Sequence, residues 1–139
     1  MKPKVLFLCT GNSCRSQMAE GLLRHEAGDR YEVFSAGTRP SSVNTTAVDV
    51  MKEIGIDISR HSSKSVENMS SYEFDVVITV CDQARETCPI FPSKVSQFHW
   101  SFSDPDMAMG AREEIFQVFR LIRDQIRDKI TRALTEGEL

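Results

Sequence analysis

A chain of 139 residues, 40% hydrophobic and 27% charged, is large enough for one packed core and too small for two. Its net charge of −3 and the lack of any basic tract argue against nucleic acid as a partner, because phosphate neutralisation dominates such binding. No apolar run approaches the ~18–20 residues that span a bilayer, and the apolar stretch after Lys2 and Lys4 is too short for an export signal. A single catalytic domain over residues 1–139, in the cytoplasm and off the membrane, is the expectation.

The elements alternate along the chain. Lys4–Cys9 (KVLFLC) is a continuous apolar run, the pattern of a strand buried on both faces. Ser16–Ala27 sets Met18, Ala19, Leu22 and Leu23 on one helical face. Tyr31–Ser35 reads as a second strand, closed by Ala36-Gly37. A second helix follows over Asn44–Ile54, with Ala47, Val48, Met51 and Ile54 in period and Gly55 as its stop. Asp75–Val80 (DVVITV) is a third strand and Val95–Trp100 a short fourth. Ala111–Leu134 is a long amphipathic helix striped by Ile115, Val118, Phe119, Ile122, Ile126 and Ile130. Alternating strands and helices predict a parallel sheet covered on both faces. Ligands then sit at the carboxyl ends of the strands, where three polar loops begin at Cys9, Cys81 and Ser101.

The loop after the first strand is Cys9-Thr10-Gly11-Asn12-Ser13-Cys14-Arg15-Ser16. A tight turn between strand and helix aims backbone N–H groups inward as an anion nest, and the helix adds its positive dipole end. Arg15 can grip two oxygens of a tetrahedral oxyanion. Gly11 and Asn12 are residue types that tolerate positive φ. A free thiol has a pKa of ~8.5, and a helix N-terminus with a nearby cation can lower it to ~3.5–7.5. Cys9 is thus expected to be a thiolate nucleophile, steadied by Ser16, on the floor of a cradle built from residues 10–15. The Gly-Lys-Ser/Thr of a nucleotide-binding P-loop is missing.

Four cysteines in a cytoplasmic chain point to catalysis, redox chemistry or metal rather than a disulfide framework. Cys81 and Cys88 lack the short spacing and the histidine cluster of a zinc site. Fully extended, the segment between them would span ~25 Å. A disulfide needs Cα atoms within ~4.4–6.8 Å, so the segment must bend back, which its polar and small residues allow.

The stretches CTGNSCRSQMAEG at 9–21, SAG at 35–37, GIDIS at 55–59, CDQARETCP at 81–89 and DP at 104–105 resemble the low-molecular-weight protein tyrosine phosphatase superfamily. Within it, the chain looks most like the thioredoxin-coupled arsenate reductases. The resemblance implies a three-layer αβα sandwich around a four-stranded parallel sheet of order 2-1-3-4. It also implies a relay. Cys9 attacks arsenic(V), Cys81 attacks the Cys9 adduct to release arsenite, and Cys88 then takes Cys81 into a disulfide that thioredoxin reduces. Glutaredoxin or mycothiol systems are alternative reductants, and phosphate or sulfate would compete for the cradle. Cys14 is read as mainly structural. Asp104-Pro105 alone is a turn signal; the resemblance makes Asp104 the general acid for the departing oxygen. Asp106 stands where the phosphatases carry an aromatic, which argues against a phosphotyrosine pocket.

Some relatives bind potassium behind the cradle. The matching positions are Asn12, Glu20 and Ser35, but Lys64 replaces a carboxylate, so weak or absent potassium activation and no tightly bound cofactor are expected. His25, His61 and His99 are assigned surface or packing roles, Trp100 packing, and Arg120, Arg123, Arg127 and Arg132 a solvated face. Two other functions stay open: a phosphatase acting on phosphotyrosine or small phosphate esters, and a non-enzymatic oxyanion or redox sensor.

Overall fold

The computed structural model describes residues 2–69, 71–82 and 89–139. Cys88, with the segment from 83, lies outside the described residues. Four strands form one sheet: β1 (Lys4–Cys9), β2 (Glu32–Gly37), β3 (Val76–Thr79) and β4 (Ser96–His99). Their order is β2-β1-β3-β4 and every pairing is parallel. Among the described residues, the helices are α1 (Arg15–Ala27), α2 (Thr45–Lys52) and α3 (Arg112–Glu136), with 3-10 turns at Val66–Met69 and Pro105–Met107. None is long and apolar enough to cross a membrane. The α/β three-layer architecture and the strand order match the expectation, with element ends shifted by one or two residues.

The buried apolar runs account for the sheet. Val5 to Leu8 are fully buried and Val76 to Thr79 nearly so, which requires cover on both faces of β1 and β3. β4 is an edge strand with Ser96 and Gln97 exposed. α1 packs on α3, and α2 on α3. Gly21 lets α1 lie close to Ile58 and Met51. Asn44 caps α2, its Oδ1 accepting from the N–H groups of Thr46 (2.8 Å) and Ala47 (3.1 Å). Gly55 ends that unit at φ +79°.

The arginine stripe on α3 is only partly a solvated face. Arg123 is buried, its Nη1 donating to the Val50 carbonyl (2.8 Å) and to Glu53 (2.9 Å). It satisfies an end carbonyl of α2, and Arg120 clasps the same Glu53 carboxylate at 2.7 Å. Helical periodicity marks which residues share a face, but the approach of α2 puts Arg123 under cover. Trp100 packs as expected: it is buried, contacts Phe7 at 6.0 Å between ring centroids and carries the Lys129 ammonium 5.5 Å above its face.

The sheet sets the site. Cys9 ends β1 in register with Gly37 of β2, and Leu8 pairs with Thr79, which pairs with His99. The loops after β1, β3 and β4 therefore leave from one edge, as parallel strands require.

Candidate active site

The loop 9–14 is held by its carbonyls. Cys9 O accepts from Thr38 N (3.1 Å), Thr10 O from Arg39 N (2.8 Å) and Gly11 O from Ser41 N (3.0 Å). Asn12 O accepts from Gln17 Nε2 (3.1 Å), Ser13 O from Asn44 N (3.1 Å) and Cys14 O from Met18 N (2.9 Å). Each acceptor is committed to the surrounding protein, so what the loop offers the cleft is N–H rather than C=O. No side chain caps the start of α1 at Cys14, which keeps the dipole end open to a ligand. These features are an anion receptor's polarity.

Asn12 is the loop's keystone. It sits at φ +48°, a conformation Asn tolerates better than most residues. Its side-chain Nδ2 donates to Ser16 Oγ (2.8 Å) and Ser35 Oγ (3.0 Å), and its Oδ1 accepts from Lys64 N (2.9 Å). Gly11, which could tolerate positive φ, does not use it; a Cβ there would press to 3.3 Å from Ser41 Oγ. Gly37 is constrained by space, since a Cβ would stand 2.5 Å from the Thr10 carbonyl oxygen.

Cys9 lies on the floor of this loop, buried, with its sulfur 2.7 Å from Ser16 Oγ and 3.1 Å from the Asn12 nitrogen. Because Ser16 Oγ accepts from Asn12, its own proton is available to Cys9. The thiol does not follow the sequence expectation of a lowered pKa. Burial pushes it above the ordinary thiol value, while the hydrogen bonds from Ser16 and Asn12 pull it down without cancelling that push. The cation expected to help is engaged elsewhere: Arg15 donates Nη1 to the Phe102 carbonyl (3.0 Å) and holds Asp104 at 3.4 Å. Cys14 is also buried, and desolvation drives its thiol up to about 12, which suits a packing role.

A cleft of about 540 Å³ opens above Cys9 and is lined by Arg15, Cys81, Asp82, Phe102, Asp104 and Asp106, among others. Cys81 is buried, unpaired and 3.3 Å from Thr10 Oγ1. The structure thus brings Cys9, the cradle, Arg15, Asp104 and Cys81 together. Asp104 caps the turn that follows it, its Oδ1 accepting from Asp106 N at 3.0 Å. Asp106 accepts from Asn44 Nδ2 (2.9 Å) across the cleft mouth.

Behind the cradle, Asn12, Ser35 and Glu20 are linked as their positions implied, Ser35 donating to Glu20. Two cationic side chains and an imidazole already surround the Glu20 carboxylate: Arg24 at 2.6 Å, Lys64 at 3.9 Å and the His61 ring at 3.7 Å. These groups crowd the positions that the sequence matched to a potassium site. Burial pushes the Lys64 ammonium and the His61 imidazole down, and Glu20 opposes both shifts.

Two groups escaped the sequence reading. Gln17 ties the cradle to the 61–62 turn, donating to Asn12 O and Ser62 O while its Oε1 meets His61 Nδ1 at 2.9 Å. His99 bonds Thr79 and Asp82 at the cleft's far side. A polar residue at the carboxyl end of a strand was the available signal for His99; nothing local marked Gln17. His25 is exposed, one of the surface or packing roles expected of the three histidines, whereas His61 and His99 are half-buried.

Residues 4–137 match the low molecular weight phosphotyrosine protein phosphatase family. The chain is 47% identical to an arsenate reductase of Halalkalibacterium halodurans over 129 residues, 93% of each chain. It is 42% identical to an arsenate reductase of Bacillus subtilis over 139 residues, covering 99% of this chain and all of that one. Among solved structures, an arsenate reductase in the oxidized state superposes with a TM-score of 0.83 at 34% identity, covering 98% of both chains. One in the phosphate binding state gives 0.78 at the same identity and coverage.

Proposed function

We infer, for a chain that belongs to the low molecular weight phosphotyrosine protein phosphatase family, that the cradle serves redox chemistry. Its reaction is the reduction of arsenate to arsenite. The observation that carries this reading is a second buried thiol, Cys81, lining the same cleft as Cys9. Hydrolysis of a phosphate ester has no use for it.

The order of steps is the one the family resemblance implies, and the shared cleft of Cys9 and Cys81 supports it. Arsenate enters the cradle and its oxygens take the N–H groups of residues 10–15 and the Arg15 guanidinium. The Cys9 proton, held by burial, is free to pass to the incoming dianion as the sulfur attacks arsenic. A sulfur–arsenic bond forms and an arsenic–oxygen bond breaks, water leaving with a proton relayed by Asp104. Cys81 then attacks the Cys9 sulfur. The sulfur–sulfur bond forms, the sulfur–arsenic bond breaks, and its electron pair stays on arsenic, which departs as arsenite. Cys88 attacks Cys81 and frees the Cys9 thiolate. The Cys81–Cys88 disulfide is reduced by a dithiol protein, thioredoxin being the reductant supported by the resemblance. Such a cycle needs a compartment that keeps thiols reduced, which supports the cytoplasm.

The test is arsenate-dependent NADPH consumption with thioredoxin and thioredoxin reductase. Wild type should turn over repeatedly, and Cys81→Ser and Cys88→Ser should each stop after one turnover or before. Steady turnover without Cys88 would defeat the relay, and arsenate binding with no turnover in wild type would leave a sensor. Phosphate-ester hydrolysis, a side activity of the shared cradle, should survive both changes and vanish in Cys9→Ser. Because Arg24 and Lys64 already balance Glu20, raising potassium at constant ionic strength should leave the rate unchanged; a clear increase would sink that reading.

A further inference from the structure

The imidazole of His99, at the carboxyl end of β4, touches the chain on both sides of Cys81. Its Nδ1 lies 2.7 Å from Thr79 Oγ1, two residues before the thiol. Its Nε2 lies 2.8 Å from Asp82 Oδ1, one residue after it. Ser101 Oγ donates to the same carboxylate oxygen at 3.4 Å. The ring is mostly covered, with 18% of the side chain exposed, whereas Asp82 is 77% exposed. The anchored group is therefore the histidine, and the restrained one is the residue that follows Cys81. A carboxylate only accepts, so Nε2 carries the proton toward Asp82. Nδ1 can accept from the Thr79 hydroxyl in the neutral ring or donate to it in the charged one.

Cys81 needs such a restraint. It lies beyond the paired residues of β3, which end at Thr79. Its sulfur faces the Cys9 cleft beside Thr10 Oγ1. Disulfide exchange requires the attacking sulfur, the attacked sulfur and the leaving atom in line. Angular freedom at Cys81 reduces the fraction of time spent in that alignment.

We propose that His99 is a positioning residue that clamps Thr79 and Asp82 and so fixes the approach of the Cys81 thiol to Cys9. The proposal rests on the reading of Cys81 as the thiol that resolves the Cys9 adduct. His99 touches no reacting atom. In the step it governs, the Cys81–Cys9 sulfur bond forms and the Cys9–arsenic bond breaks, with the electron pair going to arsenic.

The test uses the full chain carrying Cys14→Ser and Cys88→Ser, which leaves Cys9 and Cys81 of the four cysteines. Free thiols are counted as the disulfide closes by two routes. Arsenate accepts the electron pair in one. Diamide accepts both electrons and both protons directly in the other. His99→Leu should slow closure about tenfold by both routes while hydrolysis of p-nitrophenyl phosphate stays within about twofold of the parent. His99→Gln, whose amide can still donate to Asp82, should recover most of the closure rate. Closure at the parental rate in His99→Leu, a parallel fall in hydrolysis, or no advantage of Gln over Leu would each overturn the clamp. If the parent closes with diamide but never with arsenate, the reductase reading fails, and the diamide rates still decide the clamp.

Discussion

The two sides of the cleft are built differently. The Cys9 side is a loop whose carbonyls from residue 9 to 14 are all tied to the body of the protein, with buried Asn12 joining Ser16, Ser35 and Lys64. Among the described residues, the Cys81 side has one backbone bond past the end of its strand, from Val80 N to Leu8 O (2.9 Å), and otherwise side-chain contacts: Thr10 on the sulfur, and His99 and Ser101 on Asp82. The contrast suits the roles proposed for each side. An oxyanion receptor gains from donors that need no reorganisation when charge arrives. A thiol that exchanges partners must be aimed first and released later, which a few side-chain contacts permit.

Substitutions can break or sharpen that contrast. The largest effect is expected from Asn12→Ala, which removes the αL-tolerant residue and three side-chain hydrogen bonds of the cradle. It should cost at least about 100-fold in kcat/KM for both arsenate and p-nitrophenyl phosphate. A loss confined to one substrate would show that the cradle is not one unit. Next, Ser16→Ala removes a hydrogen bond that pulls the Cys9 pKa down against burial. The thiolate is the reactive form, so iodoacetamide alkylation of Cys9 should rise with pH through a midpoint above that of a free thiol. In Ser16→Ala the midpoint should move higher still, slowing alkylation at pH 7 about tenfold. A downward shift would mean that Ser16 is not donating to the sulfur. Smallest for activity is Arg123→Ala, far from the cleft. It should cost about 1–3 kcal/mol in urea unfolding, because the Val50 carbonyl loses its buried partner, and leave both chemistries intact. The exposed Arg132, paired among the described residues with Asp128 on its own helix, should change neither when replaced.

The same contrast explains what could be read in advance. The strands, the helices and the loop after β1 were legible because local rules determine them. Continuous apolar runs make doubly covered strands, a 3.6-residue period makes helices, and a Cys-x5-Arg loop between the two makes an anion cradle. The ionisation of Cys9 was not legible. It depends on how deeply the sulfur is buried and on where Arg15 points, and Asp104, 89 residues away, decides the second. His99 and Gln17 were unreadable for a similar reason: each bonds residues brought near by sheet pairing or by the return of the chain, not by sequence distance.

From its sequence alone, this chain is determined as an α/β domain with a thiol at the end of its first strand, an oxyanion loop around it and two further cysteines downstream. The periodicities and motif spacings that say so act over a few residues. Which groups steer those thiols was decided only by tertiary structure. Parallel pairing of β1, β3 and β4 places Cys9, Cys81 and His99 at one edge, and burial there sets the competition between desolvation and hydrogen bonding that governs the Cys9 thiol.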